Sequence, residues 1–219
     1  MPDLPDLHPH GRPDIEVAVP SPGHERELRA RLRASSVAII GCGGLGSNVA
    51  AMLLRSGVCS LTLIDFDVVD ASNLNRQLFF RDQIGRPKTE ALAETLLRID
   101  AEARLTLHTC RVTIENLVDL VRDADVIVEA VDSAAIKAMI VNTCMTALQD
   151  TPLVTASGLA GYGSANAIVT ERPCDNLYLV GDLTSDVTAG LPLFASRVMV
   201  AAAHEAHAAI RRLLGFDEP

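Results

Sequence analysis

The stretch SVAIIGCGGLGSN, residues 36–48, decides the fold of this chain. Its first five residues form a β-branched run of the kind that fills a buried strand, and a glycine cluster follows directly. The next stretch, SNVAAMLLRSG at 47–57, has a helical composition and ends on Gly57, a residue suited to a left-handed C-cap. The pattern therefore predicts a strand, a tight turn and a helix.

Strands and helices continue to alternate along the chain. Strands are predicted for LTLID (61–65), ARLTLHT (103–109), DVIVEAVD (125–132) and TPLVTAS (151–157), and helices for RPKTEALAETLLRID (86–100), IENLVDLV (114–121), SAAIKAMIVNTCMTALQ (133–149) and an Ala-rich segment (196–215). GYGSANAIVT and NLYLVGD follow one another too closely for a helical crossover, which favours antiparallel strands. We expect an α/β fold, a Rossmann-like doubly wound sheet whose parallel N-terminal part continues into antiparallel strands.

Length and composition favour one domain. The 219 residues are 48% apolar but only 3% aromatic, so Ala, Val, Leu and Ile must build the core. The Pro- and His-rich start lacks apolar periodicity, and ERELRARLRAS then has the spacing of an amphipathic helix. We therefore expect a flexible tail over 1–23 and a single folded domain over 24–219.

Charge and cysteine content exclude several classes of partner. The net charge of -9 opposes binding to nucleic acid or to an anionic membrane, so a bound phosphate needs a local cationic cluster. The N-terminus has no secretory pattern, and polar residues interrupt both long uncharged runs, at 35–54 and 151–170. Five cysteines without CxxC spacing favour reduced thiols in the cytoplasm, with no structural zinc.

The glycine cluster predicts a nucleotide site. Gly41, Gly43 and Gly46 fit GxGxxG, and with Gly44 they leave bare backbone at a helix N-terminus, where phosphates bind. Asp65 ends the next predicted strand, about twenty residues on, as a ribose-binding acid does. NAD and ATP are equally compatible with these features, and close packing of helix on strand is the structural alternative.

A cluster of polar residues beyond the second strand separates ATP from NAD. Asn73 and Arg76 lie in SNLNR (72–76), and Lys88 lies in GRPK (85–88). A helical turn would place the first two on one side, where Lys88 can join them around a triphosphate. Asp132, at the carboxyl end of the fourth strand, is then placed to hold Mg²⁺.

Each of these residues has an ordinary structural interpretation as well. Arg76 and Lys88 can be solvated surface charges, Asn73 a turn former, and Asp132 the neighbour of a helix cap. Their order along the chain, together with Asp65 and the glycines, favours one shared site. The HEAH sequence at 204–207 does not predict zinc, because its histidines are three residues apart and not four.

The chain resembles the adenylating domain of the ThiF, MoeB and ubiquitin-activating enzyme superfamily over roughly residues 35–214. The resemblance lies in GCGGLGSN, LTLIDFDVVDASNLNRQ, IGRPK and the strand ending VEAVD. Within the superfamily it is most similar to a short form of the ThiF family, the adenylyltransferases of the sulfur carrier ThiS, because LVTASGLAGYG, NLYLVGD and the Ala-rich helix also match.

The resemblance implies a reaction and the residues that perform it. Such enzymes join AMP to the C-terminal glycine carboxylate of a small ubiquitin-like carrier that ends in Gly-Gly, in this family for thiamine biosynthesis, and they commonly work as homodimers. The glycine loop would bind ATP, Asp65 the ribose and Asp132 Mg²⁺. Asn73, Arg76 and Lys88 would contact phosphates, and Gln77 would support the loop.

Three features depart from longer relatives and leave alternatives open. The paired CxxC motifs are absent, and so is the N-terminal Arg-Tyr-x-Arg-Gln stretch, for which Arg26, Arg29 or Arg33 would have to substitute. Cys174 lies in the region of a carrier-accepting cysteine, but its surroundings do not match. The other candidate functions are an NAD(P)-dependent oxidoreductase, an adenylating enzyme of a molybdopterin or other sulfur pathway, and a non-catalytic partner subunit.

Overall fold

A seven-stranded sheet with helices on both faces forms the computed structural model, which describes residues 22–186 and 190–218. The strands are β1 (Ser36–Ile40), β2 (Ser60–Ile64), β3 (Arg104–His108), β4 (Val126–Glu129), β5 (Leu153–Ala156), β6 (Val169–Cys174) and β7 (Leu177–Gly181). The helices are α1 (Pro22–Ala34), α2 (Gly44–Arg55), α3 (Lys88–Leu97), α4 (Ile114–Val121), α5 (Ala134–Ala147) and α6 (Ala195–Leu213). The tail predicted over 1–23 lies outside the described residues as far as position 21.

The strand order is β3-β2-β1-β4-β5-β7-β6. β1 to β5 and β7 run parallel, and β6 alone runs antiparallel, beside β7 at the edge of the sheet. This confirms the predicted Rossmann-like fold with a parallel part that continues into an antiparallel end. No helix in the described ranges is long and apolar enough to span a bilayer.

Alternate strand residues face two apolar layers. In β4, Val126 and Val128 pack into the layer that holds α2, α3 and α6, whereas Ile127 packs against α4 and α5 on the other face. Parallel strands covered on both sides read as continuous apolar runs, which is why VIV carries no polar residue. Fully buried alanines in α6, such as Ala201 and Ala209, let this helix lie close to α2.

The segment GYGSANAIVT differs from its prediction as one strand. Its first part is a loop with a short 3₁₀ turn at Ala165–Ala167, and β6 begins only at Val169. Gly161 takes a φ of 77°, a conformation that suits a turn and not a strand. NLYLVGD forms β7, antiparallel to β6 as predicted, but its other neighbour is β5, with which it is parallel.

The sheet has a switch point between β1 and β4. After β1, the strands β2 and β3 lie on one side of β1, and the chain then crosses over so that β4 and β5 lie on its other side. Connections leave the sheet in opposite directions there, which opens a crevice beyond the carboxyl ends of β1 and β4. The glycine loop follows β1 and Asp132 follows β4, so both predicted elements border this crevice.

Candidate nucleotide-binding site

The glycine loop lies tightly against the end of β4. Gly41 has a φ of 94°, and a Cβ atom on it would lie 2.7 Å from the carbonyl oxygen of Ala130. A Cβ atom on Gly46 would lie 1.8 Å from the carbonyl oxygen of Gly41. These two glycines are therefore required by packing of the loop itself.

Gly43 is different, because the protein leaves space around it. Outside its own turn, the nearest described atom to a Cβ placed there is Gln77 Nε2, at 3.7 Å, and its φ is -83°. A side chain would therefore fit as far as the protein is concerned. The open backbone at Gly43 leaves room for a phosphate at the N-terminus of α2, where anions bind favourably.

Asp65 fixes the loop from the end of β2. Its carboxylate is buried, and Oδ2 accepts a hydrogen bond from the backbone N–H of Cys42 at 2.7 Å. Oδ1 accepts a second from the N–H of Asp67 at 2.8 Å. A carboxylate has about four lone-pair sites, so acceptor capacity remains for ribose hydroxyls.

Cys42 fills space in this loop. Its side chain is fully buried, and burial, followed by the charge of Asp65, raises the pKa of the thiol well above its ordinary value. A thiol of raised pKa is a poor nucleophile at neutral pH. Packing is therefore the role of Cys42.

SNLNR forms a helical turn, the condition on which Asn73 and Arg76 were expected to share one side. A 3₁₀ turn over Ala71–Asn73 continues as the carbonyl of Asn73 accepts from the N–H of Arg76 at 3.2 Å and of Gln77 at 2.9 Å. Asn73 Oδ1 also accepts from the N–H of Asp70 at 3.0 Å, so Asn73 is a turn former. Its Nδ2 group has no hydrogen-bond partner among the described residues and stays available to a ligand.

Arg76 lies directly over the glycine loop. Its aliphatic stem covers Gly44, where a Cβ atom would lie 3.5 Å from Arg76 Cγ. Nη1 donates to Ser72 O at 3.3 Å and to Asn75 Oδ1 at 2.8 Å. Within the described part of the chain no carboxylate pairs with it, so its charge and its remaining N–H donors are available to an anion.

Lys88 is a buried cation and not a solvated one. Its side chain is 8% exposed, and Nζ lies 3.0 Å from Asp67 Oδ2. The N–H of Lys88 donates to Asp67 O at 2.9 Å, which joins the start of α3 to the segment after β2. Asp67, which no sequence motif indicated, therefore orients Lys88 while two ammonium donors remain for a ligand.

Two polar residues of α2 that were not predicted as site residues connect the loop to the SNLNR segment and to Leu78 after it. Asn48 Nδ2 donates to Gly44 O at 2.6 Å and to Arg76 O at 3.1 Å. Ser47 Oγ accepts from the N–H of Leu78 at 3.0 Å. The signal available in the sequence was a polar pair on an otherwise apolar, buried helix face.

Gln77 also faces the loop. Its Oε1 is buried and has no hydrogen-bond partner within residues 22–186 and 190–218. Its Nε2 is the atom nearest to a Cβ placed on Gly43. Gln77 thus carries an unpaired acceptor next to the most open part of the loop, in line with a supporting role there.

Asp132 is exposed at the start of α5. Asp132 lies two residues after Ala130, whose carbonyl lies against the Gly41 turn. It directly precedes Ser133, whose Oγ caps α5 by accepting from the N–H of Ile136 at 3.5 Å. The Asp132 carboxylate has no described hydrogen bond or ion pair. A carboxylate without a protein partner suits Mg²⁺, which takes one or two protein carboxylates plus phosphate oxygens.

A buried ion pair orders the loop that follows β5. Arg197 is 5% exposed, pairs with Asp182, and donates to Gly163 O at 2.8 Å and Ser164 O at 2.7 Å. Burial raises the pKa of Asp182, but hydrogen bonds from Ser185, Thr184 and Arg197 outweigh it and bring the pKa to about 2. The ionised pair therefore fixes Gly163 and Ser164, in the loop after β5, against α6.

Several other residues lie away from the site. Cys174 is exposed and pairs with Leu177 at the start of β7, so it lies at the sheet edge opposite the glycine loop.

Arg29 and Arg33 form exposed ion pairs with Glu25 and Glu102. In HEAH, His204 Nδ1 lies 2.9 Å from Thr170 Oγ1. Within the described ranges no group of three or more His, Cys, Asp or Glu is arranged to hold a metal ion.

Comparison with known sequences assigns the family. The sequence model of the ThiF family matches residues 18–219. The chain belongs to the ThiF family. ThiF family relatives include the ThiS adenylyltransferase of Escherichia coli (strain K12), 38% identical over 141 residues, which are 64% of this chain and 55% of the relative.

Other members of the superfamily align over different shares of their length. The molybdopterin-synthase adenylyltransferase of Escherichia coli (strain K12) is 30% identical over 204 residues, 90% of this chain and 80% of the relative. The adenylyltransferase and sulfurtransferase MOCS3 of Xenopus laevis is 32% identical over 160 residues, 73% of this chain. This chain spans only 34% of the MOCS3 length.

Solved structures share the ThiF family fold. The E. coli tRNA N6-threonylcarbamoyladenosine dehydratase TcdA, crystallised with ATP, superposes with a TM-score of 0.78 at 24% identity, over 86% of this chain and 89% of TcdA. E. coli MccB with ATP superposes with a TM-score of 0.68 at 26% identity, over 88% of this chain and 60% of MccB. The Rossmann-like architecture is thus shared beyond sequence similarity.

Proposed function

We propose that this protein uses ATP to adenylate the C-terminal glycine carboxylate of a small ubiquitin-like sulfur carrier of the ThiS type, for thiamine thiazole biosynthesis. The observation that carries the proposal is the position of Arg76 over the glycine loop with no carboxylate partner in the described residues. An NAD site holds a pyrophosphate and needs no such additional cation. Similarity to ThiS adenylyltransferase supports the carrier class.

Different site residues bind different parts of the nucleotide. Open backbone at Gly43 and the N-terminus of α2 receive phosphate oxygens, and Asp65 receives the ribose hydroxyls. Arg76 and Lys88 contact the outer phosphates, with the Asn73 amide beside them. Each group is held by contacts that leave donors or acceptors free for the ligand.

The chemistry needs positioning and charge stabilisation more than proton transfer. A carboxylate oxygen of the carrier attacks the α-phosphorus, the bond from that phosphorus to the bridging oxygen breaks, and pyrophosphate leaves with the electron pair. The terminal carboxylate is already ionised at neutral pH, so no general base is required. Arg76 and Lys88 stabilise the charge that develops on the departing pyrophosphate.

Asp132 is the residue that would hold Mg²⁺. A Mg²⁺ ion held there would supply positive charge that offsets the negative charge of the phosphates. Asp132 fits this role because its carboxylate is exposed, has no described partner and follows the strand end that the glycine loop contacts.

The carrier and the assembly are part of the same proposal. We infer a homodimer, as the superfamily resemblance implies, and a carrier that ends in Gly-Gly. A carrier of the molybdopterin-synthase pathway is the alternative, favoured by the alignment over 204 residues with that adenylyltransferase.

Carrier-dependent exchange of labelled pyrophosphate into ATP tests the proposal. We expect exchange with a ThiS-type carrier and none with the same carrier lacking its last glycine, the matched control. Stronger exchange with a molybdopterin-pathway carrier would reassign the pathway. Absence of exchange with both, together with calorimetric binding of NAD(P) and not of ATP, would overturn adenylation.

A further inference from the structure

Glu129 is a fully buried carboxylate at the last position of β4. Its Oε1 accepts a hydrogen bond from the backbone N–H of Val131 at 2.8 Å. Its Oε2 accepts from Thr155 Oγ1 on the neighbouring strand β5 and from Lys137 Nζ on α5. The side chain therefore joins two strands, one helix and the turn between β4 and α5.

Lys137 supplies the opposite charge from the first turns of α5. Its side chain is 23% exposed, and Nζ also lies 3.4 Å from Thr155 Oγ1. Its backbone N–H donates to Ser133 O at 2.8 Å, so Lys137 belongs to the turn that Ser133 caps. The ion pair thus ties the beginning of α5 to the end of β4.

Asp132 lies between these two anchors. The residue before it, Val131, is held by Glu129, and the residue after it, Ser133, begins the helix that Lys137 fixes. On the other side of the turn, the carbonyl of Ala130 contacts the glycine loop at Gly41. The backbone on both sides of Asp132 is therefore fixed, while its own carboxylate stays free.

Stability alone does not account for a buried charge pair at this point. Apolar residues of similar volume often replace such pairs without loss of stability, because desolvation offsets most of the attraction. What leucine and methionine would not supply is an acceptor for the N–H of Val131. Groups behind a metal ligand that fix its orientation typically control metal affinity and activity.

We propose that Glu129 and Lys137 are positioning residues, which hold the backbone turn so that the Asp132 carboxylate points at the metal ion on the ATP phosphates. The inference rests on the proposed function, because it gives Asp132 its task. Thr155 contributes by donating to the same carboxylate and keeping it in one rotamer.

Two doubly substituted variants separate positioning from charge. Glu129→Leu with Lys137→Met removes the pair and the acceptor, whereas Glu129→Gln with Lys137→Met removes the pair but keeps an amide oxygen for Val131. In both variants the two partners of the pair are replaced together, so neither is left as an unpaired buried charge. Arg122→Ala, in an exposed ion pair on the neighbouring surface, is the control for a charge lost elsewhere.

Amide hydrogen exchange in the nucleotide-free protein gives a readout without activity. In the Glu129→Leu, Lys137→Met protein (the Leu/Met variant), the amide proton of Val131 is expected to exchange about fivefold faster, because one hydrogen bond is lost. In the Glu129→Gln, Lys137→Met protein (the Gln/Met variant), it is expected to exchange at the wild-type rate. Equal rates in all three proteins would overturn the role of Glu129 in holding the turn. This result stands even if the carrier reaction itself is not found.

Pyrophosphate exchange then gives the functional readout. In the Leu/Met variant we expect the Mg²⁺ concentration for half-maximal rate to rise about 10- to 100-fold, with the KM for the carrier unchanged and recovery in the Gln/Met variant. A folded Leu/Met variant with wild-type Mg²⁺ dependence overturns the inference. If the Leu/Met variant does not fold, Thr155→Val is expected to raise the same half-maximal Mg²⁺ concentration by a smaller factor. An unchanged Mg²⁺ concentration for Thr155→Val would overturn the inference equally.

Discussion

The Asp65 carboxylate accepts a hydrogen bond from the backbone N–H of Cys42 at 2.7 Å, so the acid that ends β2 fixes the loop that follows β1. The same carboxylate is the proposed ribose acceptor. A residue that both shapes the loop and binds the ligand would couple the fold directly to nucleotide affinity. Replacing one carboxylate oxygen of Asp65 by an amide nitrogen tests this coupling.

Asp65→Asn is expected to weaken ATP binding about 10- to 100-fold. The amide replaces one acceptor oxygen with an NH₂ group, which leaves either a backbone N–H or a ribose hydroxyl without its acceptor, at a cost of about 1–3 kcal/mol. Titration calorimetry with ATP measures the change. Asp119→Asn, which alters an exposed carboxylate of α4, is the control and keeps wild-type affinity. Equal affinity in the two variants would remove Asp65 from the site.

Gly43 and Gly46 are expected to respond differently to alanine. Gly46→Ala places a Cβ atom 1.8 Å from Gly41 O, an overlap that costs about 1–3 kcal/mol or more of folding stability. Gly43→Ala meets only the tip of Gln77 among the described residues, at 3.7 Å, so it is expected to lose less stability than Gly46→Ala but to obstruct the phosphates. Urea unfolding and ATP calorimetry on both variants separate the effects. Wild-type ATP binding by Gly43→Ala would contradict close approach of the phosphates at Gly43.

The motif residues could be predicted from the sequence because their signals are local. SNLNR forms its turn through hydrogen bonds between neighbours, such as the carbonyl of Asn73 with the N–H of Gln77. The strand, glycine loop and helix are also consecutive in the chain. Each of these needs only the order of residues and the backbone geometry that they permit.

The supporting contacts could not be predicted, because they depend on strand order. Glu129 meets Thr155 only because β4 and β5 are neighbours, and β7 lies beside β5 although β6 precedes it in the chain. Alternation of apolar residues indicates that a strand exists but not which strand pairs with it. Asp67 and Asn48 escaped prediction for a related reason, since their partners are backbone atoms or distant side chains.

Arg76→Ala is expected to lower carrier-dependent pyrophosphate exchange by about two orders of magnitude, the usual scale for loss of one charge-stabilising donor. Arg76→Lys keeps the charge but loses the planar fork, so an intermediate rate is expected. Arg81→Ala is the matched control, because Arg81 is exposed five residues further along the chain. A near-normal rate for Arg76→Ala would contradict the role assigned to it.

Glu205→Gln is expected to flatten the dependence of folding stability on pH. Glu205 is fully buried in α6 with both carboxyl oxygens unpaired among the described residues. Burial raises the pKa of Glu205 well above its ordinary value, and the charge of Glu129 raises it further while Lys137 opposes the change. A raised folded-state pKa means that the folded protein retains this proton over a range where the unfolded chain has lost it.

Because the folded protein retains the proton on Glu205, its folding stability decreases as the pH rises. The stability that the protonated carboxyl contributes is fully present below its unfolded pKa of about 4.3, and is lost as the pH rises toward the folded pKa. Glutamine stays neutral throughout, so Glu205→Gln should exceed the wild type in free energy of unfolding at pH 8 and approach it at pH 4. Urea unfolding at several pH values measures this, with the exposed Glu171→Gln as control. Parallel curves for wild type and Glu205→Gln would show that Glu205 carries no such proton.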